Sequence, residues 1–355
     1  MQEAITSKGW TIGLDLGDRH SQVCVVEPSG EVARRFRVAT TRQGMEAGLA
    51  RYAGARAVLE VGTHSPWVSQ ALEAQGFEVI VANPRRLRSI THRDTKDDRS
   101  DAEQLARLGR VDPKLLSPIH HRGVSAQRDR ARLSVRDGLV RARVLLVNQA
   151  QGLAKPLGLR LPKGSTEGFA GRMRRAGLVQ AFPGLAALVA MVDQLTRQIR
   201  ALEQEIEAIS RERYPETARL RQVAGVGPVT ALAYVLTLED PRRFRRSRSV
   251  GAYLGLRPRR RQSGERDPLL RITKAGDPFL RRLLVQSAHY VLGPFGPDTD
   301  LRRFGERLIA RGGRAGRKKA LIAVARKLAG LLHRLWVSGD AYVPLRGSDS
   351  EVAGA

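Results

Sequence analysis

Four acids near the start of the chain have the types and spacing for metal-assisted chemistry on a phosphodiester. Asp15 sits in the middle of an apolar strand-like run, Gly13-Leu14-Asp15-Leu16-Gly17, and Glu60 repeats the pattern in Val58-Leu59-Glu60-Val61-Gly62. Asp98 and Asp101 stand three apart at a helix start, in Lys96-Asp97-Asp98-Arg99-Ser100-Asp101-Ala102. That spacing puts both on one helical face. An acid in an apolar strand is costly to bury without a partner, and four converging acids repel unless cations lie between them. Oxygen-only ligands favour Mg²⁺ or Mn²⁺ over zinc. Two such ions about 4 Å apart can clamp a phosphodiester, activating the attacking oxygen and stabilising the leaving one. Each acid also has a structural reading: Asp15 as a turn residue, Glu60 as the partner of an arginine, Asp98 as a helix cap with Asp101 at the positive helix end. Asp94 and Asp97 compete locally and leave the register of the third acid open.

The elements that must position these acids are legible in outline. Trp10–Leu16, Val23–Glu27 and Val32–Val38 read as three strands, with Pro28-Ser29-Gly30 as a hairpin turn. A helix is expected over Arg42–Tyr52, a fourth strand over Ala57–Val61, and a helix over Pro66–Gln75 with Gly76 at its end. A fifth strand over Phe77–Ala82 closes at Asn83-Pro84, and a helix over Ser100–Leu108 is capped by Gly109. Three antiparallel strands followed by helix-linked strands is the order of the ribonuclease-H-like fold.

Beyond this α/β region the pattern is helical. Val124–Leu153 and Gly184–Ser210 carry apolar residues at helical spacing, joined by the Gly- and Pro-rich stretch Lys155–Gly171. They read as two antiparallel helices, either a coiled-coil arm or an ordinary helical subdomain. The boundaries expected are 1–122 for the α/β domain, 123–215 for the helical region, 216–340 for a mainly α C-terminal domain and 341–355 for a frayed tail. Arg302–Arg334 reads as one basic helical stretch.

The C-terminal half holds a second set of candidates. Gly225-Val226-Gly227, followed by Pro228, resembles the turn of a helix-hairpin-helix, where backbone N–H groups approach a DNA phosphate. A plain inter-helix turn fits the same residues. Arg259-Arg260-Arg261-Gln262-Ser263-Gly264 places a serine beside a glycine after a run of guanidinium groups. Arginines can hold a phosphate while a hydroxyl attacks it; a solvated loop serine is the plainer alternative. Lys274, Arg281 and Arg282 follow as candidate backbone contacts.

Composition narrows the partners. The chain has 355 residues, enough for two or three domains, and is 42% hydrophobic, so most of it should fold. Lysine plus arginine number 62 against 35 acids, giving +27, which attracts a polyanion, most simply nucleic acid. No apolar run reaches the roughly 18 residues of a membrane span. The start of the chain lacks a secretory signal, and the single Cys24 forms no disulfide framework or cysteine zinc site within one chain. A cytosolic protein is expected.

The residues then match something specific. The chain resembles the transposases of the IS-one-ten group of bacterial insertion sequences over nearly its whole length. The match is carried by Gly13-Leu14-Asp15, Glu60, Asn83-Pro84, Lys96-x-Asp98-x-x-Asp101-Ala102, Gly225-Val226-Gly227, Phe244, Gly255-Leu256-x-Pro258, Gln262-Ser263-Gly264, Lys274-x-Gly276 and Leu280-Arg281. The resemblance implies a RuvC-like (Holliday-junction-resolvase-like) domain whose four acids bind Mg²⁺ or Mn²⁺, a coiled-coil connection, and a C-terminal transposase domain with Ser263 as nucleophile. It implies strand cleavage through a phosphoserine, strand exchange and rejoining of donor and target DNA. It also implies guidance by an element-encoded bridge RNA, a tetramer assembled from dimers, composite sites between subunits, and association with the bacterial nucleoid. Arg85, Arg86, Arg88 and the arginines from Arg128 to Arg143 are the candidate RNA contacts. Asp97 departs from the Thr or Asn often found before the third acid. A nuclease that uses the acids alone with water, and a nucleic-acid-binding protein with structural acids, are the competing readings.

Overall fold

The computed structural model describes residues 9–83, 98–260 and 270–345. It divides into two compact units, Met1–Gly123 and Val124–Ala355.

The N-terminal unit is a five-stranded sheet with helices on both faces. Its strands are β1 (Thr11–Asp15), β2 (His20–Val26), β3 (Val32–Ala39), β4 (Arg56–Glu60) and β5 (Glu78–Ala82). The spatial order is β3-β2-β1-β4-β5. β1 and β2 pair antiparallel, as do β2 and β3, whereas β4 lies parallel to both β1 and β5. Helix α1 (Arg42–Leu49) starts at Thr41, whose side chain accepts from the Gly44 N–H at 3.0 Å. Helix α2 (Ser65–Ala74) carries Pro66 in its first turn, where the missing N–H costs nothing. Both helices cover one sheet face, where Ile12, Leu14, Val23, Val25, Ala57, Leu59 and Val81 meet Met45, Leu49, Val68 and Leu72.

Strand side chains alternate between faces, so Gly13, Cys24, Val26, Val58, Ile80 and Ala82 belong to the opposite face. There α3 (Asp98–Val111) packs with Ala102, Leu105 and Ala106. Gly109 was expected to cap this helix. It lies inside it instead, because a Cβ there would stand 2.4 Å from Val58 Cγ2. Its bareness serves close packing on the sheet. β2 also starts three residues earlier than expected, at His20.

The C-terminal unit is almost entirely helical. Long helices α4 (Val124–Ala154) and α7 (Gly184–Arg213) flank the short α5 (Phe169–Arg175) and α6 (Leu178–Ala181). α4 and α7 run antiparallel: Arg136 pairs with Glu203, Arg143 with Thr196, and Arg213 with Asp129. Asp129 is fully buried, and it also accepts from Arg132 at 2.8 Å and from the Tyr214 hydroxyl at 2.8 Å. Burial, then that bond to a carboxylate, pushes the Tyr214 hydroxyl up to about 12.

The chain continues through α8 (Glu216–Leu220), α9 (Pro228–Leu238), α10 (Arg248–Tyr253), α11 (Pro278–Val291), α12 (Asp300–Arg311) and α13 (Gly316–Ser338). Their apolar faces share one core around Tyr234, whose hydroxyl donates to the Ala329 carbonyl at 2.6 Å. The basic helical stretch expected over Arg302–Arg334 consists of two helices, separated around Gly312-Gly313, where Gly313 takes φ +54°. No described helix is long and apolar enough to cross a membrane.

Candidate active site and nucleic-acid surface

The alternation that builds the core also aims the acids. Leu14 pairs with Leu59 on neighbouring parallel strands, and Asp15 and Glu60 each follow by one residue. Both share the parity of Gly13 and Val58, the face that α3 covers. Each is the last residue of its strand. Asp15, expected in mid-strand and buried, is therefore half-buried at a strand end, and Glu60 is exposed. Water reaches both, so neither needs the buried partner that a mid-strand acid would require.

Helix α3 runs opposite to β1. A Cβ on Gly13 would meet the Ala102 carbonyl oxygen at 1.8 Å and the Ala106 nitrogen at 2.7 Å. Further along the helix, Arg107 Nη1 donates to the Gly30 carbonyl at 3.2 Å, and Arg110 Nη2 donates to the Pro28 carbonyl at 2.6 Å, both in the β2–β3 turn beside the start of β1. Arg56, at the start of β4, donates to the Gly109 carbonyl at 2.9 Å. The last turn of α3 thus lies at the N-terminal edge of the sheet and its first turn at the C-terminal edge, where Asp15 and Glu60 stand. Asp101 precedes Ala102 by one residue and is half-buried. Asp98 opens the helix, and its side chain lies outside the described part. Asp94, Asp97, Arg85, Arg86 and Arg88 lie outside the described residues. Among the described residues, no three His, Cys, Asp or Glu side chains are grouped closely enough to hold a metal ion. The donor chemistry fits a hard divalent ion, since every candidate ligand is a carboxylate.

A group that sequence reasoning missed stands at the same edge. Asp18 follows β1 and His64 follows β4, and His64 Nε2 lies 3.2 Å from Asp18 Oδ1. Trp67 Nε1 donates to His64 Nδ1 at 3.1 Å. With Nδ1 accepting, the neutral ring carries its proton on Nε2 and donates to Asp18. The sequence signal was that each residue follows an acid-tipped strand by three or four positions. On the helix face, Glu103 holds Arg35 at 2.6 Å and Arg107 at 2.8 Å. The bond from Arg35, and then that from Arg107, draws the Glu103 carboxyl below its usual range.

In the C-terminal unit, Gly225 takes φ +84°, and a Cβ there would crowd the Ser287 carbonyl at 3.0 Å and Tyr290 at 3.1 Å. Its bareness lets α11 approach. Gly227 caps α9, is exposed, and has nothing within 4 Å of the Cβ position. Of the two glycines it is the one with room for a phosphate. Arg259 N–H donates to the Arg271 carbonyl at 2.9 Å and Thr273 N–H to the Arg257 carbonyl at 2.9 Å, with Pro258 bridged to Ile272. Arg259, Arg260 and Lys274 are exposed around this ladder. Arg261 and Ser263 lie outside the described residues. Arg281 is occupied internally: its Nη1 donates to the Leu254 carbonyl at 3.0 Å and the Ala275 carbonyl at 2.9 Å. Arg282 pairs with Asp137 and stacks on Phe279.

Residues 12–156 match a family model described as Transposase, of the DEDD type, and residues 217–300 match the model of the Transposase IS116/IS110/IS902 family. The transposase of insertion sequence element IS1111A from Coxiella burnetii is 26% identical over 93% of this chain and 90% of its own length. That of element IS1328 from Yersinia enterocolitica is 30% identical over 78% of this chain and 82% of its own. A probable family 20 transposase from Pseudomonas aeruginosa is 27% identical over 80% and 84%. A mixed sheet with acids at its C-terminal edge, matched by a DEDD model and followed by a helical region, is the plan of a DNA transposase. The chain belongs to the IS116/IS110/IS902 family of transposases.

Proposed function

We propose that this transposase cuts and rejoins donor and target DNA with two centres, a ribonuclease-H-like acid cluster and a serine nucleophile. Asp15, Glu60, Asp98 and Asp101 would hold Mg²⁺ or Mn²⁺. When bound, such ions neutralise phosphate charge and polarise a phosphodiester oxygen. What supports this reading is that Asp15 and Glu60 end neighbouring strands with the same parity, and that the first turn of α3, with Asp101, lies toward that edge of the sheet.

In the covalent step, Ser263 Oγ attacks phosphorus. An Oγ–P bond forms, the DNA P–O bond breaks, and the departing oxygen takes a proton as a hydroxyl. Attack on the phosphoserine by a hydroxyl of the exchanged strand reverses these bonds and frees the serine, so no external energy is needed. Arg259, Arg260 and Arg261 would hold the phosphate through planar, bidentate contacts. Gly227 N-terminal to α9 would take a neighbouring phosphate. The reading includes pairing of an element-encoded RNA with both DNAs, and a tetramer of composite sites in which acids and serine come from different subunits.

The test is Ser263→Ala with an end-labelled DNA carrying the element ends, run on denaturing gels. The wild type should trap a protein–DNA adduct and the variant none, with DNA binding retained. Cleavage by the variant at the wild-type rate, with no adduct in either protein, would overturn the serine role in favour of hydrolysis.

A further inference from the structure

We infer that the outer face of α13 is a track for an unpaired DNA strand. The inner face of this helix, with Ala320, Val324, Leu328 and Leu332, is built into the core of the C-terminal unit. Positions 319, 323, 326, 330 and 334 recur at three- and four-residue intervals, so they form one line on the opposite side. Lys319, Arg326 and Arg334 are exposed along it, and Ala323 and Gly330 stand between them. Ala323 leaves room where a long side chain would raise a ridge, whereas Gly330 lies beside the start of α10, where a Cβ would stand 3.4 Å from the Ser247 carbonyl oxygen.

Two cavities open on that line and share Ala323 and Arg326. One, of about 520 Å³, has an apolar floor of Leu256, Pro258, Ile272 and Ile322, with Arg271, Lys274 and Lys318 at its rim. The other, of about 580 Å³, contains Phe304 and Tyr342, with Arg248 and Lys327 beside them. Together they present eight cations and one acid, Asp300. The wall of the second cavity is fixed: Tyr342 N–H donates to Gln222 Oε1 at 2.8 Å, and Asp300 N–H donates to the Pro344 carbonyl at 2.9 Å.

Some cations elsewhere in this unit are tied to carboxylates, as Arg136 is to Glu203 and Arg303 to Asp298. Among the described residues, no ion pair ties those along the channel. A cationic groove with an apolar floor and interleaved rings suits a single strand, whose phosphates meet the cations while its bases lie on apolar and aromatic surface. Lys327 Nζ stands 4.3 Å from the centre of the Phe304 ring, so a cation and a stacking platform already adjoin. A duplex keeps its bases stacked inside and would leave the floor uncovered. DNA is the occupant because the family acts on DNA; the inference needs neither the acids nor Ser263.

The experiment uses the full chain in EDTA, so that no cleavage occurs, and measures anisotropy of fluorescein-labelled oligo(dT), oligo(U) and a duplex of equal length over a salt series. The variant is Lys319→Ala/Arg326→Ala/Lys327→Ala, with Lys319→Arg/Arg326→Lys/Lys327→Arg as its charge-keeping counterpart. At roughly 0.7 counterions per phosphate contact on a single strand, the alanine variant should flatten the salt slope for oligo(dT) by about 2. The charge-keeping variant should restore it, and the duplex slope should change less. An unchanged slope for oligo(dT), an equal loss for duplex, or a loss confined to oligo(U) would each overturn the assignment. Failure of the two-centre chemistry would appear separately, as lost metal-dependent cleavage with these slopes intact.

Discussion

Gly13 and Ala102 touch backbone to backbone: a Cβ on Gly13 would stand 1.8 Å from the Ala102 carbonyl oxygen. This contact sets how close the first turn of α3 lies to the strand that ends in Asp15, and so how near Asp101 comes to that edge. Gly13→Ala should force the helix away. Strain of this kind costs about 1–3 kcal/mol, so thermal unfolding should shift down, and metal-dependent cleavage should fall in the fraction that remains folded. Wild-type stability and cleavage in this variant would show that the contact is not needed.

Asp15→Asn and Glu60→Gln keep side-chain shape and remove charge from exposed or half-buried strand ends. Little stability should be lost. Charge stabilisation by a metal is worth several kcal/mol, so strand cleavage should drop by at least about a hundredfold. DNA binding, measured by gel shift in EDTA, should persist. Cleavage within a few-fold of wild type would mean these acids are structural.

Arg281 looked like a DNA contact in sequence, yet its guanidinium serves two carbonyls of its own unit. Arg281→Ala should destabilise the chain by about 1–3 kcal/mol through the unsatisfied carbonyls. The salt dependence of DNA binding should stay as in the wild type. A flattened salt slope with unchanged melting would return Arg281 to the DNA surface.

Glu103 offers a pH test. Its folded-state value lies below the ordinary 4.5, because Arg35 and then Arg107 donate to it. A carboxyl held low in the folded state adds stability above its unfolded value, and that contribution disappears as pH falls through the folded value. The wild type should therefore lose more stability than Glu103→Gln between about pH 5 and the acid limit, and the two should run parallel above pH 6. Parallel loss throughout the acid range in denaturant melts would remove Glu103 from the account. Both arginine partners are about half exposed, so the difference should be small.

The α/β part was readable because period-two alternation and turn residues are local signals. The order of elements from β1 to α3 follows from Gly17, Gly30, Gly76 and the apolar runs between them. Which end of a strand an acid occupies was not readable, since Asp15 and Glu60 lie within apolar runs that extend past the last paired residue. The role of Gly109 was also hidden: only the approach of Val58 separates a packing glycine from a cap. The His64–Asp18 contact joins residues 46 apart in sequence, and their positions just past the acid-tipped strands gain meaning only once β1 and β4 lie side by side. The α13 channel was invisible for a related reason. A basic helix reads the same whether its cations are tied down or line a cavity, and Ala323 gains meaning only once two cavities meet there.

The most direct measurement is Mn²⁺ binding to the full chain by electron paramagnetic resonance, with wild type, Asp15→Asn, Glu60→Gln and Asp101→Asn titrated side by side. The account predicts tight Mn²⁺ in the wild type, strongly weakened in each variant because all three carboxylates hold the same ions. Undiminished Mn²⁺ binding in all three variants would contradict it.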